Sequence, residues 1–354
     1  MAKAQSYIAI GLMSGTSLDG LDMACGAFSQ DNGQWNFRIL QAETLDYSTE
    51  LRERLRTAPE LPKDELAALD TDYGHFLGKS VSEFIRRHKL APDLVASHGH
   101  TVFHRPDLGY TLQIGAGKAL KSYIDCPLVY DFRSQDVALG GQGAPLVPIG
   151  DQLLFDSYAA CVNIGGFANI SLRRDAKRMA WDIGPANIVL NVLARRLKQE
   201  FDAGGNLARK GKLLPDLSAQ LNVLEFYGQK PPKSLGKEWV DRHISPLLEK
   251  SGAEVHDLLR TFTEHIAEQI SRAIAEASGK VLFTGGGVYN DFLMELIRAK
   301  ADVPVEIPEP QIVEYKEALI FAFMGVLRMR GEVNVLASVT GARQNHSSGF
   351  IIRD

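Results

Sequence analysis

The stretch "GLMSGTSLDGLD", residues 11–22, lies between two apolar runs, "YIAI" before it and "MACGAF" after it. It packs three glycines, three hydroxyls and two carboxylates into twelve residues. The part that follows, "LDMACGAF", alternates apolar and small residues as a strand does. A phosphate-binding P-loop needs a lysine that is missing here, and a dinucleotide-binding turn opens a helix, not a strand. What remains is a β-hairpin whose turn presents successive backbone N–H groups, an anion-binding concavity. Gly15, Thr16, Ser17, Leu18, Asp19, Gly20, Leu21 and Asp22 are therefore candidate nucleotide-phosphate ligands. Asp19 or Asp22 is placed to hold Mg²⁺, which takes few protein carboxylates and keeps its waters. The competing reading is a hairpin whose Gly, Ser and Asp are simply good turn formers.

Outward from this point the pattern recurs. "AACVNIGGFANISL" and "RMAWDIGPAN" repeat the order strand, glycine turn, strand, strand, and lead into the helical "IVLNVLARRLKQEF". A third glycine turn, "FTGGGVYN", follows a strand and opens a helix. The candidates there are Gly165 and Gly166, then Gly285, Gly286, Gly287 and Asn290. Three such turns across two α/β lobes read as a nucleotide clamp. The expected division is 1–145 and 146–354, with the boundary near "GGQGAPLVPIG" and the C-terminal helix free to pack back on the first lobe. "PDLVASHGHT" reads as a strand ending on a polar loop. Helices are expected over 63–90, 253–277 and the dense apolar "VEYKEALIFAFMGVLRMRG".

Composition narrows the class. The chain has 354 residues, 45% hydrophobic and 23% charged, and a net charge of -4 without a basic block, so no nucleic-acid partner is expected. Its three cysteines are far apart and lack metal-ligand spacing. The longest apolar run, "ALIFAFMGVL", is half of the about 20 residues a spanning helix needs. The N-terminus enters a strand without the apolar region of a leader. The expectation is a soluble cytoplasmic protein with no membrane contact.

The three-turn layout resembles the superfamily of actin, Hsp70 and the sugar kinases, which implies two duplicated actin-like (ribonuclease H-like) α/β lobes with a central nucleotide cleft. More narrowly, "MSGTSLDGLD", "SHGHTVFHRP", "YTLQIG", "DFRSQDVALGGQGAPLVP", "NIGGFANIS", "DIGPAN", "FDAGGNLARKG", "KSLGKEW", "TGGGVYN" and "EALIFAF" resemble the anhydro-N-acetylmuramic acid kinase family nearly end to end. The resemblance implies ATP and Mg²⁺ as cofactors, a homodimer, and a small anhydro-sugar substrate. That sugar's 1,6-anhydro ring is opened by water at C1 while O6 takes a phosphoryl group.

On this resemblance Asp182 is the catalytic base. The alternative is an N-cap aspartate of the following helix. His98, Gln113, Arg133, Asp136 and Glu317 are the implied sugar ligands. Arg133 suits a carboxylate by its forked guanidinium, or else forms an ion pair with Asp131 or Asp136. Glu317 needs a partner, either a sugar hydroxyl or a cation such as Lys316 or Arg328. His98, His100 and His104 are read as loop histidines, not a metal set. The chain departs from the family's usual residues at four positions. Ile183 replaces a threonine, Ala186 a glycine, Ala116 an aspartate and His100 a glutamine. These departures keep two other readings open: the same chemistry on another anhydro-sugar such as levoglucosan, or a non-catalytic ATP-binding homologue.

Overall fold

The computed structural model describes residues 6–15, 18–175 and 177–353. Thr16 and Ser17 of the first glycine turn lie outside the described residues. The chain divides into two units, one comprising Met1–Phe155 with Tyr315–Asp354, the other Asp156–Glu314.

In the first unit, β1 (Ser6–Ser14), β2 (Gly20–Asp31) and β3 (Gln34–Asp46) form an antiparallel meander. β4 (Leu94–Arg105) lies parallel to β1, and β6 (Leu128–Tyr130) parallel to β4. β5 (Tyr110–Ile114) pairs with β4, and β12 (Phe350–Ile352) closes the edge on β6. Among the described residues this makes a seven-stranded sheet of order β12-β6-β4-β1-β2-β3 with β5 on β4.

The second unit repeats the plan. β7 (Ala160–Ile164), β8 (Phe167–Arg174) and β9 (Lys177–Pro185) form the meander, with β10 (Val281–Thr284) parallel to β7 and β11 (Val305–Glu306) parallel to β10. Its order, β11-β10-β7-β8-β9, matches β6-β4-β1-β2-β3 strand for strand. The fold is thus α/β with a duplicated sheet, the pattern that the two glycine hairpins predict.

Each sheet is covered by helices whose apolar faces form a core. In the first unit Tyr73, Leu77, Val81 and Phe84 of the helix Lys63–His88 pack with Ile10, Leu12 and Val95. In the second, Leu259, Phe262, Ile266 and Ile270 of the helix Val255–Ile274 pack with Val162, Ile170 and Phe283. The first sheet's other face receives the helix Pro310–Arg330, whose residues 318–327 are all buried. A Cβ on Gly11 would stand 1.8 Å from the carbonyl oxygen of Ala318, so only glycine lets this helix come so near β1.

Two expectations change. The unit boundary falls at Phe155, not 145, and the chain returns to the first unit at Tyr315. The cause is packing: Gly150 of the helix Pro148–Leu153 abuts Ile320, Asp151 pairs with Lys316 at 2.6 Å, and Phe155 packs on Phe37. The "SHGHT" segment is not a loop but the middle of β4, held by β1 on one side and β6 and then β5 on the other. Among the described residues, no helix is long and apolar enough to cross a membrane.

Candidate active site

In the first unit the candidate residues gather where β1, β4 and β6 end or bend. The register stops at Ser14 opposite Leu21, and the described Gly15, Leu18 and Asp19 lie between the two strands. The Leu18 N–H donates to the Gly15 carbonyl (3.3 Å), and Leu18 adopts a left-handed φ of 61°. Asp19 is exposed at the tip, and Gly20 already belongs to β2. Leu21 is fully buried among core residues, so its side chain serves packing. Asp22 accepts a 2.6 Å bond from the Thr44 hydroxyl.

Asp19 and Asp22 form a short all-oxygen set on one hairpin. Among the described residues, no group of three or more His, Cys, Asp or Glu side chains is placed to cage a metal. Mg²⁺ binds through one or two carboxylates and completes its shell with water and phosphate, so Asp19 and Asp22 are its candidate ligands.

Behind the hairpin runs a buried hydroxyl relay. Tyr47 donates to Ser14 Oγ (2.7 Å) and meets the Tyr73 hydroxyl at 2.8 Å, while Ser14 Oγ lies 2.9 Å from His100 Nδ1. Burial holds the His100 imidazole down to about 4 and raises both tyrosines, so all four groups are neutral near pH 7. A neutral relay can be satisfied from end to end without a charge to desolvate.

Next to it, His98 is buried, with Nδ1 2.9 Å from the Gly99 carbonyl and Nε2 facing Arg133 Nε (3.0 Å) and Nη2 (2.8 Å). These partners fix the neutral tautomer: Nδ1–H donates and Nε2 accepts. Burial, with the Arg133 charge second, holds His98 well below the ordinary histidine range. Arg133 also donates from Nη1 to the Gly143 carbonyl (2.6 Å), and burial brings its guanidinium down to about 10. It therefore makes neither ion pair weighed from sequence, since its near partners are a histidine and a carbonyl.

Asp136 is separate from this group. It is fully buried and accepts from the Gly143 N–H and the Thr340 hydroxyl (2.7 Å each), so it braces the 140–143 turn. Glu317 is exposed on its helix, not buried; crowding by neighbouring groups still raises its carboxyl, which Arg133 pulls down and Asp22 pushes up.

A cavity of about 110 Å³ opens beside His98. Its lining includes His98 and Gln113, together with Asp70, Tyr130, Asp131 and Ser134, which sequence reasoning missed. The Gln113 amide donates to Thr111 Oγ1 (2.8 Å), whereas its buried Oε1 meets no donor among the described residues. Asp70 accepts from the Gly115 N–H (2.7 Å), and burial raises its carboxyl. Asp131 and Ser134 stand inside the quoted "DFRSQD" block. Asp70 sits in an ordinary amphipathic helix, where no sequence signal singles it out.

In the second unit Asp182 lies within β9, opposite Asn169 of β8. It is not the N-cap of the following helix Asn187–Arg196. That cap is Ala186, whose N–H donates to the Gly166 carbonyl (2.8 Å), as the Asn187 N–H does to Gly165 (3.2 Å). Instead Asp182 is held by the 229–236 loop. Its Oδ2 accepts from the Leu235 N–H (2.8 Å), and its own N–H donates to the Lys233 carbonyl (3.0 Å). Burial raises its carboxyl above the ordinary aspartate range, offset in part by the Leu235 N–H. Ile183, next along β9, turns into the core. Its missing hydroxyl is therefore absent from the carboxylate's face of the strand.

The two glycine turns of this unit sit side by side at the ends of β7 and β10, which are parallel neighbours. A Cβ on Gly287 would strike Ile164 at 2.2 Å, whereas Gly286 faces open space. Packing thus explains Gly287, and Gly286 is the member left free for a ligand. The Asn290 side chain caps the helix Asp291–Lys300 by accepting from the Leu293 N–H (2.9 Å).

Comparisons with known proteins agree in kind. The family model of anhydro-N-acetylmuramic acid kinase matches residues 7–354. The anhydro-N-acetylmuramic acid kinase of Synechococcus elongatus is 34% identical, covering 94% of this chain and 96% of its own. That of Methylobacterium nodulans is 34% identical over 98% and 99%, and that of Acinetobacter baylyi 32% over 95% and 96%. Among solved structures, a glucokinase of the ROK family from Streptomyces griseus aligns over 90% of this chain and 98% of its own, at 12% identity and a TM-score of 0.41. The duplicated α/β units and these relatives define a carbohydrate kinase. Within that class, the chain belongs to the anhydro-N-acetylmuramic acid kinase family.

Proposed function

We propose that this enzyme uses ATP to open the 1,6-anhydro ring of 1,6-anhydro-N-acetylmuramic acid by hydrolysis and to phosphorylate O6. The products are N-acetylmuramic acid 6-phosphate and ADP. The observation that carries the reading is Asp182: a half-buried carboxylate with a raised proton affinity, oriented by a backbone N–H, in the segment that matches the family.

Asp182 takes a proton from the water whose oxygen bonds to C1. The C1–O6 bond breaks, and O6 attacks the γ-phosphorus as the β–γ bridge opens and ADP leaves. Phosphoryl transfer asks mainly for positioning and charge stabilisation. The hairpin N–H groups of residues 15–18 serve the phosphates, and Asp19 and Asp22 are the residues that would hold Mg²⁺. When bound, that ion offsets charge on the phosphate oxygens. The turns at Gly165–Gly166 and Gly285–Gly287 serve the rest of the nucleotide, with Gly286 at the open position. His98, Gln113, Arg133 and Glu317 serve the sugar, and Asp136 supports them through the 140–143 turn.

One observation favours a second reading. Ala116, which stands where the family usually has aspartate, lines the cavity beside Gln113. The same chemistry on a smaller anhydro-sugar would then apply, because loss of one polar partner can redirect specificity strongly.

The test is ADP release with MgATP and 1,6-anhydro-N-acetylmuramic acid, run beside 1,6-anhydroglucose and N-acetylmuramic acid. Turnover on the muramic anhydro-sugar alone is expected, falling by about 10² to 10⁴ in Asp182→Asn. Turnover on 1,6-anhydroglucose alone transfers the mechanism to the second reading. None on any of them, with ATP still bound, rejects catalysis.

A further inference from the structure

The loop that holds Asp182 is itself held by one side chain. Lys233 Nζ donates to the Phe226 carbonyl (2.9 Å) and stands 4.4 Å from the centre of the Phe226 ring. Phe226 is buried and packs on Tyr227 and Trp239. Lys233 is thus clamped at its tip, while its own carbonyl accepts the Asp182 N–H and the Leu235 N–H, two residues on, binds Asp182 Oδ2. We infer that Lys233 is a positioning residue: by anchoring the 229–236 loop to Phe226 it aims the Asp182 carboxylate at the attacking water. This rests on Asp182 being the base.

Two features argue that the lysine acts through geometry and not through its charge. What acts on the Asp182 carboxyl is burial, which raises it, and the Leu235 N–H, which lowers it. The ammonium is turned toward a ring face and a carbonyl, and burial lowers its proton affinity. A cation over an aromatic face with a carbonyl acceptor is a directional clamp that a neutral aliphatic side chain cannot copy. The chain around it, "QKPPKSLGKEW", forms no strand or long helix before Gly236, so little else fixes the position of the Leu235 N–H.

The experiment is a double-mutant cycle of Lys233→Met with Asp182→Asn, with Lys233→Arg as the conservative rescue, read by ADP release and by KM for each substrate. A base displaced by about 1 Å loses on the order of 10²-fold in rate. Lys233→Met is therefore expected to lower kcat by roughly 10- to 100-fold while both KM values stay within about threefold, and Lys233→Arg to recover most of it. In the Asp182→Asn background Lys233→Met is expected to cost nothing further, because the group it aims is gone. Lys233→Gln, a milder change, takes the place of Lys233→Met if that variant does not fold.

An equal loss in both backgrounds would overturn the inference, as would an unchanged kcat, or a rise in the KM for ATP that marks the lysine as a phosphate ligand. Full turnover by Asp182→Asn alone would instead sink the base assignment, and this inference with it.

Discussion

The Asp182 side chain shows how far a residue type can be read before its partners are known. An aspartate five residues ahead of a helix suits an N-cap and a base equally well on sequence. The structure separates the two, since the hairpin carbonyls of Gly165 and Gly166 take the N–H groups at the helix start and Asp182 bonds to Leu235. No local pattern announces that partner, because it comes from a loop 53 residues away.

A raised carboxyl has two consequences. The base is active only when ionised, so the acidic limb of kcat is expected above the ordinary aspartate range and absent from the residual rate of Asp182→Asn. A limb at the ordinary value would contradict the burial argument. In addition, a group whose folded proton affinity is raised adds no stability when charged. Asp182→Asn, which keeps an oxygen for Leu235, should therefore leave the thermal midpoint unchanged or higher.

His100 gives the opposite case. Its folded value of about 4 lies below the ordinary 6.5, so below 6.5 the unfolded chain binds the proton first. Stability should then fall between pH 6.5 and 4, by roughly 3 kcal/mol from this group. His100→Gln keeps a polar partner for Ser14 and does not titrate. Its urea midpoint should move less than the parent's between pH 7 and 4.5, and an equal loss would discount the histidine.

At the level of elements, the alternation of "LDMACGAF" and the strand-turn-helix order of "KVLFTGGGVYNDFLMELI" were legible because local periodicity and local structure agree there. The "SHGHT" segment was not legible. Its polarity says loop, yet partners on both sides extend it as a strand and bury His98 and His100. Tertiary pairing overrides propensity in such a place. The glycines divide in the same way, since sequence shows that they permit a close approach but not what approaches.

Gly286 faces open space, whereas Gly11 faces the Ala318 carbonyl. Gly11→Ala is accordingly expected to cost about 1–3 kcal/mol or more by overpacking, seen as a lower denaturation midpoint. Gly286→Ala should keep the midpoint and raise the KM for ATP. Asn290→Ala should do the reverse, losing about 1 kcal/mol of cap with KM for ATP unchanged. A raised KM in Asn290→Ala would show that the side chain serves the nucleotide as well as the cap.

For the whole chain, repetition was the legible feature and closure was not. Both sheets share one strand order, and two glycine hairpins of like pattern predict as much. The apolar density of "ALIFAFMGVL" left core and dimer face equally open. The structure resolves it as core of the first unit. Ala318 and Ala322 lie on β1 at Gly11, Phe323 packs against Phe28 and Trp35, Phe321 against Phe132, and Ile320 against Gly150. The last forty residues, Tyr315–Asp354, are therefore part of a unit whose other strands are complete by residue 130.

Buried Leu, Ile, Phe, Met and Val side chains contribute about 1.5–3 kcal/mol each. Those of 318–327 together are thus as large as the roughly 5–15 kcal/mol that holds a domain folded. A chain ending at Glu314 should not form the first unit's core. The measurement is amide hydrogen exchange in β1, β4 and β6, whose protection should vanish. A milder probe is the buried pair Lys316–Asp151: Lys316→Met takes the cation from beside the buried aspartate and should lower stability by up to about 3–5 kcal/mol, while Lys316→Met with Asp151→Leu should recover much of the loss. Equal loss in the single and the double variant would mean that the helix is held by its apolar face alone.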